Sequence, residues 1–391
     1  MSKKNEHRIK VLHIITRLIV GGAQQNTILS VAGLQSSGDY ELTLVSGPQT
    51  GSEGSLIDQA AKVCELHILP ELRRNINPYY DIIAFVKLIR FIKKRRFDII
   101  HTHSSKAGIL GRWAAKLAGK NIIVHTVHGW GYNSLQHPLI RFLYISLEKL
   151  SLLITKKLIC VSKVNIENGL ANNIGKKNNY LLIRSGIELE RFNQPMTAKE
   201  KTRAKLGIPL DVPVVGTVTR LSVQKAPLDF IKSCAIIAKN NPDVWFIIVG
   251  DGPLKNKAES LTKELGLSKR LIFTGLRDDV PELMSIFNIF SLSSLWEGLP
   301  RVLPQAMAQS LPIVATDIDG NAEAVINEEN GLLVPPGDYQ ALAQSILRLL
   351  NDPKKALLMG QNGFRRIEEF SAKKMINQID SLYKELLSCG N

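Results

Sequence analysis

Apolar and polar positions alternate in blocks along this chain. Short runs dominated by apolar residues, IKVLHIIT, YELTLVSG, FDIIHTHS, NIIVHTVHG and KLICVS, are separated by stretches with helical spacing such as GAQQNTILSVAGLQ and SKAGILGRWAAKLAG. Apolar runs bounded by turn residues read as strands buried on both faces. Their alternation with amphipathic helices predicts parallel sheets covered by helices. After residue 210 the rhythm restarts with VPVVGTVTR, WFIIVGDG, RLIFTGL, IFSLSS and PIVATD. Two such series predict an α/β protein of two Rossmann-like domains, 1–190 and 207–370. The polar segment GIELERFNQPMTAKEKTRAKLGIP places a linker near 186–206. A final helix, 371–391, has Ser371 as its N-cap and Ile376, Ile379, Leu382, Tyr383, Leu386 and Leu387 at helical spacing.

Composition narrows the class. The 391 residues are more than one core organises, and 45% hydrophobic with 22% charged residues is a globular balance. The four cysteines, Cys64, Cys160, Cys234 and Cys389, show no metal or disulfide spacing, which points to a reducing compartment. MSKKNEHRIK is polar and is not a signal peptide, and LIRFLYISLEKLSLLI is interrupted by Arg141, Glu148 and Lys149. The expectation is a cytoplasmic protein. Its net charge of +15 is uneven, with 26 Lys/Arg against 13 Asp/Glu in residues 1–190. An excess confined to one half suggests that this half meets an anionic partner, although a solvated basic surface has the same pattern.

In open α/β sheets ligands bind beyond the carboxyl ends of the strands, so chemistry is sought in the loops that follow them. Gly21 and Gly22 follow the first strand and precede a helix, where backbone N–H groups favour phosphate. A tight strand-to-helix turn explains the pair equally well. Arg220 and Lys225 follow the first strand of the second series and suit a diphosphate, or are solvated cations. In WEGLPRVLPQAMA, Glu297 precedes a helix start whose amides, residues 300–303, offer donors for a phosphate. Glu297 also reads as an acid placed to offset the helix dipole. Pro304 fits the first turn of that helix. His101, His103, His125 and His128 cluster in sequence but lie at two strand ends with no acid or thiol nearby. They read as core or cleft-wall residues rather than metal ligands.

Taken together, Gly21-Gly22, HTHSSKAG, HTVHGWG, Gly216 with Arg220 and Lys225, VGDGP, FTGL and EGLPRVL resemble the retaining glycosyltransferases of family 4, of the bacterial surface-polysaccharide type. The resemblance spans nearly the whole chain in the family's order. It implies the GT-B fold, with the two domains facing across a cleft and the C-terminal helix returning to the N-terminal domain. It implies that Glu297 holds hydroxyls of the donor sugar, that Arg220 and Lys225 neutralise the diphosphate, and that His128 positions donor and acceptor. Gly21, Gly22, Gly216, Asp251, Leu276 (backbone to the base), Gly298, Leu299, Pro300, Arg301, Val302, Leu303 and Gln305 complete the implied donor site. The family's second Glu, eight positions after the first, is here Gln305. A Gln keeps one acceptor for a ribose hydroxyl and loses a charge-assisted bond, costing about 1 kcal/mol.

The leaving diphosphate itself can take the acceptor's proton in a retaining transferase. No metal and no cofactor are therefore expected, and Asp317 and Asp319 are read as loop residues. The acceptor side is the basic half. In DIIAFVKLIRFIKKRRFD, Ile82, Phe85, Leu88, Ile89 and Ile92 form one apolar stripe, and Lys87, Arg90, Lys93, Lys94, Arg95 and Arg96 crowd the rest. That pattern suits an anionic inner-leaflet surface as well as a helix packed on its own sheet. The expected partners are a nucleoside-diphosphate sugar, with uridine favoured, and a polyprenyl-diphosphate-linked saccharide. Nucleic acid is not expected, because stacking aromatics are missing from the basic stretch. A non-catalytic nucleotide-sugar-binding subunit and a nucleotide-sugar 2-epimerase remain as alternatives.

Overall fold

The computed structural model describes residues 8–49, 51, 53–132, 136–192, 196–318 and 320–389, without the side chains of 196–198. The chain divides into two compact units. One comprises residues 1–186 with 372–391, the other residues 187–371.

The first unit is built on a seven-stranded parallel sheet. Its strands are β1 (Ile9–Ile15), β2 (Tyr40–Ser46), β3 (Glu65–Ile68), β4 (Ile99–His103), β5 (Ile123–Val127), β6 (Lys157–Cys160) and β7 (Tyr180–Leu182), in the order β3-β2-β1-β4-β5-β6-β7. Successive side chains point to opposite faces, so each central strand feeds two cores. Val11, Ile99 and Val124 meet Met375, Ile379, Leu382 and Tyr383 of the C-terminal helix Ala372–Ser388. Leu12, Ile100 and Ile123 meet Ala84, Leu88 and Ile92 of the helix Pro78–Arg95 and Ala107, Ala114 and Ala115 of the helix Ser105–Leu117. The C-terminal helix also packs on the helix Gly22–Ser36, and the Tyr40 hydroxyl donates to Asp380 across 2.6 Å. The same alternation divides the histidines. His13 pairs in register with His101 and both point toward the C-terminal helix, whereas His125 points to the other face, against Gly108 and Thr102.

The second unit holds a six-stranded parallel sheet. Its strands are β8 (Val214–Val218), β9 (Trp245–Val249), β10 (Leu271–Gly275), β11 (Ile289–Leu292), β12 (Ile313–Thr316) and β13 (Gly331–Val334), in the order β10-β9-β8-β11-β12-β13. The segment expected to link the domains belongs to this unit instead. Within the helix Met196–Leu206, Arg203 is 9% exposed and donates to the carbonyls of Pro209, Leu210 and Val212. A long cation whose stem and fork are both used inside a fold reads, in sequence alone, as a polar linker residue. The chain passes between the units at Gly186–Ile187 and Ser371–Ala372.

The apolar stripe expected on the 78–95 helix is corrected in part. Ala84, Leu88 and Ile92 are buried, but Ile82 is 63% exposed.

Candidate active site

Each sheet reverses its strand order at one place, between β1 and β4 in the first unit and between β8 and β11 in the second. Loops leaving two such neighbouring strands diverge to opposite sides and leave a crevice between them. Of the residues selected from the sequence, Gly21 and Gly22 follow β1, Arg220 and Lys225 follow β8 and Glu297 follows β11, while Asp251, Leu276 and His128 follow β9, β10 and β5.

In the second unit the loop after β8 and the loop after β11 are bonded to each other. Leu295 N–H donates to the Gln224 carbonyl (2.7 Å) and the Gln224 side chain to the Trp296 carbonyl (2.9 Å). Ser293 Oγ donates to the carbonyls of Lys225 and Ala226 at 3.0 and 2.9 Å. This lacing brings the Lys225 ammonium onto Glu297 Oε1, which also accepts from Ser294 Oγ at 2.7 Å. The Glu297 side chain keeps 6% of its exposure and that of Lys225 19%. A carboxylate this enclosed is tolerable only with a cation and a hydroxyl on it. Arg220, half-buried, lies on the same loop, whose Leu221 N–H donates to the Asp251 carbonyl at 3.0 Å. The Asp251 carboxylate is engaged by the Gly252 N–H at 2.6 Å and by Lys255 at 3.3 Å.

The segment after Glu297 turns tightly. A Cβ on Gly320 would meet the Gly298 carbonyl oxygen at 1.7 Å, so the two loops touch through bare backbone. Leu299 and Pro300 are buried beside it. The helix that follows is Val302–Ala308, and of the amides expected to face a phosphate two are not available. Pro300 has no N–H, and the N–H of Leu303 donates to the Pro300 carbonyl at 3.1 Å. Arg301 and Val302 carry the other two amides. The Arg301 guanidinium is itself buried, and burial pushes its pKa down to about 10 against the upward pull of Glu188. Gln305 is half-buried one turn into the helix, and its carboxamide makes no hydrogen bond among the described residues. Leu276 follows β10, the edge strand two places from β8, and is 44% exposed.

Gly216 does not belong with this group. It sits inside β8 with the Phe287 ring where a Cβ would be, 2.2 Å away, so its glycine serves core packing. Asp317 follows β12, and Asp319 lies outside the described residues.

In the first unit Gly22 opens the helix Gly22–Ser36, which has no side-chain cap and no acid in its first turn. Gly21 has φ −172°, open to any residue, so the backbone does not demand glycine there. Beside it, after β4, Ser104 sits at φ 61° and is held by Thr16, whose Oγ lies 2.7 Å from its own. Left-handed φ in a serine costs on the order of 1–3 kcal/mol and persists where the surroundings over-determine it. Arg17 and Glu53 pair nearby at 2.5 Å.

His128 follows β5, half-buried, with Nε2 3.2 Å from His103 Nδ1. Behind it stand His13, His101 and His103, whose nitrogens lie within 4.8 Å of one another, close enough to hold a metal ion. Every one of their ring nitrogens already has a hydrogen-bond partner: each other, His128, Tyr383 or Thr126. Burial lowers the pKa of His13 to about 3 and holds His101 and His103 well below 6.5, with neighbouring imidazoles adding to the effect for the latter two. Sequence reasoning did not single out His13, Tyr383, Ser104 or Ser294. Ser294, in the same loop three positions before Glu297, was the most accessible of these. The alternation of IKVLHIIT and FDIIHTHS puts His13, His101 and His103 on one face, once β1 and β4 are known to be neighbours.

Residues 20–191 match the family described as Glycosyltransferase Family 4, and residues 198–366 the one described as Glycosyl transferases group 1. The chain is 31% identical to the Escherichia coli UDP-Gal:alpha-D-GlcNAc-diphosphoundecaprenol alpha-1,3-galactosyltransferase, over 98% of this chain and 99% of that protein. It is 27% identical to the Campylobacter jejuni N,N'-diacetylbacillosaminyl-diphospho-undecaprenol alpha-1,3-N-acetylgalactosaminyltransferase, over 81% and 84% of the two chains. Among solved structures, Anabaena HepE in complex with UDP and glucose superposes with TM-score 0.84 at 21% identity, covering 97% of this chain and all of that one.

Proposed function

This chain belongs to the family 4 glycosyltransferases, and from that premise we propose that it moves a sugar from a UDP-sugar, with retention, to a polyprenyl-diphosphate-linked saccharide. The observation that carries the donor half is the contact of Lys225 and Ser294 with Glu297 at the β8/β11 crevice. Breaking a glycosyl–phosphate bond builds negative charge on the departing oxygens, and preorganised cations stabilise it. Lys225 and Arg220 supply that charge without a metal. Glu297 Oε2 faces sugar hydroxyls, and the Gln305 carboxamide takes a ribose hydroxyl. Uridine follows the Escherichia coli relative, whose name specifies UDP-Gal.

The acceptor half rests on the surface of the first unit. By unit, the basic excess is wholly here, 29 Lys/Arg against 13 Asp/Glu, while the second unit has 21 against 22. The helix Pro138–Leu152 exposes Leu139 (72%), Phe142 (70%) and Leu143 (53%) at its start. The start of the 78–95 helix exposes Tyr79 and Ile82. Both helices begin at the carboxyl edge of the sheet, since one follows β5 and the other runs back into β4. Apolar side chains among cations suit an anionic lipid surface and a lipid-borne acceptor. No described helix is long and apolar enough to cross a membrane, so the contact proposed is peripheral, on the inner leaflet.

Calorimetric titration with UDP, GDP, ADP and dTDP in EDTA tests the donor half. Tight binding of UDP alone is expected. Binding of none of them would leave a subunit that holds no nucleotide, with Gln305 as the lesion. Binding followed by no transfer to any polyprenyl-linked acceptor would favour a non-catalytic nucleotide-sugar-binding subunit.

A further inference from the structure

Two adjacent serines follow β11 and serve different partners. Ser293 Oγ donates to the carbonyls of Lys225 and Ala226, fixing the backbone that carries the lysine. Ser294 Oγ donates to Glu297 Oε1 at 2.7 Å and so reaches the side chain of the acid itself. Ser294 is fully buried, and its carbonyl accepts from Thr316 Oγ1 of the neighbouring strand β12 at 2.6 Å. Thr316 is bonded in turn by Asn321, whose Nδ2 donates to the Thr316 carbonyl at 2.9 Å. The backbone of Ser294 is thereby tied to the sheet, and a single side-chain torsion places its hydroxyl oxygen. Lys225 reaches the same carboxylate oxygen by a flexible four-carbon stem and keeps 19% of its side-chain exposure.

Both donors fall on Oε1, and among the described residues Oε2 of Glu297 receives no hydrogen bond. The acceptor capacity left to the carboxylate is therefore on Oε2. Lys225 is also one of the two cations assigned to the leaving diphosphate, and a bound diphosphate competes for its ammonium. An acid oriented by that lysine alone would turn with it. The bond from Ser294 comes from the sheet and owes nothing to the nucleotide. We propose that Ser294 is a positioning residue, which holds Oε1 of Glu297 inward and so keeps Oε2 on a hydroxyl of the donor sugar. The sugar side of this inference rests on the transferase reading; the dependence of Glu297 on Ser294 does not.

The test has two arms in the full-length protein. Calorimetry compares UDP, UDP-galactose and the monodeoxygalactose analogues of the latter on wild type and Ser294→Ala. Ser294→Ala should leave UDP affinity unchanged and weaken UDP-galactose about fivefold. Wild type should lose about tenfold at the analogue lacking the hydroxyl that Glu297 accepts. Ser294→Ala should shrink that one penalty to about twofold and leave the other analogues as they were. A merely structural role would weaken UDP and every analogue alike, and that result would overturn the proposal. The second arm is urea unfolding, in which Ser294→Ala should lower the midpoint of the second unit but cause no further shift in a Glu297→Ala background. Equal shifts in the two backgrounds would also overturn it. Unfolding needs no ligand, so coupling in a protein that binds none of the nucleotides refutes the transferase reading and leaves Ser294 as the residue that orients Glu297.

Discussion

Glu297 is held from two sides, by an ammonium seven residues beyond the end of β8 and by a hydroxyl in its own loop. Lys225→Ala leaves the enclosed carboxylate with Ser294 alone. The second unit should lose about 2 kcal/mol, less than a fully buried pair because Lys225 retains 19% exposure. The turnover number should fall about 100-fold or more, because a preorganised charge is removed from the leaving group. Urea unfolding and steady-state rates read the two effects, and full turnover in Lys225→Ala would remove that lysine from the chemistry. Gln305→Glu restores the acid of the family pattern and should tighten UDP binding about fivefold by calorimetry. Weaker binding would mean that the pocket around Gln305 is built for an amide. That Arg220 and Lys225 lie in the loop after one strand and Glu297 in the loop after another was legible in sequence, because strand ends and loop positions are local features; that β8 and β11 are neighbours, which brings Lys225 onto Glu297, was not. Gly216 was misread because glycine under an aromatic ring and glycine under a phosphate look identical in one dimension.

Between the helices Ser105–Leu117 and Pro138–Leu152 lies a fully enclosed ion pair, Arg112 with Glu148 at 2.6 Å, the side chains 0% and 4% exposed. Glu148→Ala should destabilise the first unit by about 3–5 kcal/mol, since it leaves a buried guanidinium with only the Gly108 carbonyl. The paired change Arg112→Met with Glu148→Leu should recover most of that loss, and chemical denaturation compares the two. In sequence Glu148 only interrupted an apolar run; its partner, 36 residues earlier, needed the helices side by side. The outer face of the second helix carries its own expectation. Leu139→Ser with Phe142→Ser should abolish sedimentation with phosphatidylglycerol vesicles while leaving UDP affinity unchanged. Retained sedimentation would move the lipid contact elsewhere. The strands β3, β7 and β13 were not foreseen; they have three or four residues each, too short for a run of apolar positions to stand out from the chain around it.

All eight histidines of the molecule precede residue 138 and so fall in the first unit. His13, His101, His103 and His125 are fully buried with pKa values held below 6.5, by burial first. The unfolded chain therefore takes up protons near pH 6.5 that the folded unit refuses. Stability supplied by these groups is complete above that pH and is lost as pH falls toward the folded values. With four such groups the loss between pH 7 and 5 should be about 5 kcal/mol or more, enough to unfold a unit of ordinary stability. Fluorescence of Trp113 and Trp130 in the first unit, against Trp245 and Trp296 in the second, measures it. Equal acid sensitivity of the two units would contradict the burial account.

The order of residues alone determined the parallel α/β class, the two repeated series and the loops that carry Arg220, Lys225 and Glu297, because periodicity and motif spacing are local properties. Tertiary structure decided that residues 187–206 belong to the second unit and that His125 parts from its neighbours. It also decided that Tyr383, 370 positions from His13, joins the buried histidines. Those outcomes depend on which strands and helices lie side by side, and adjacency is created only when the sheet is assembled.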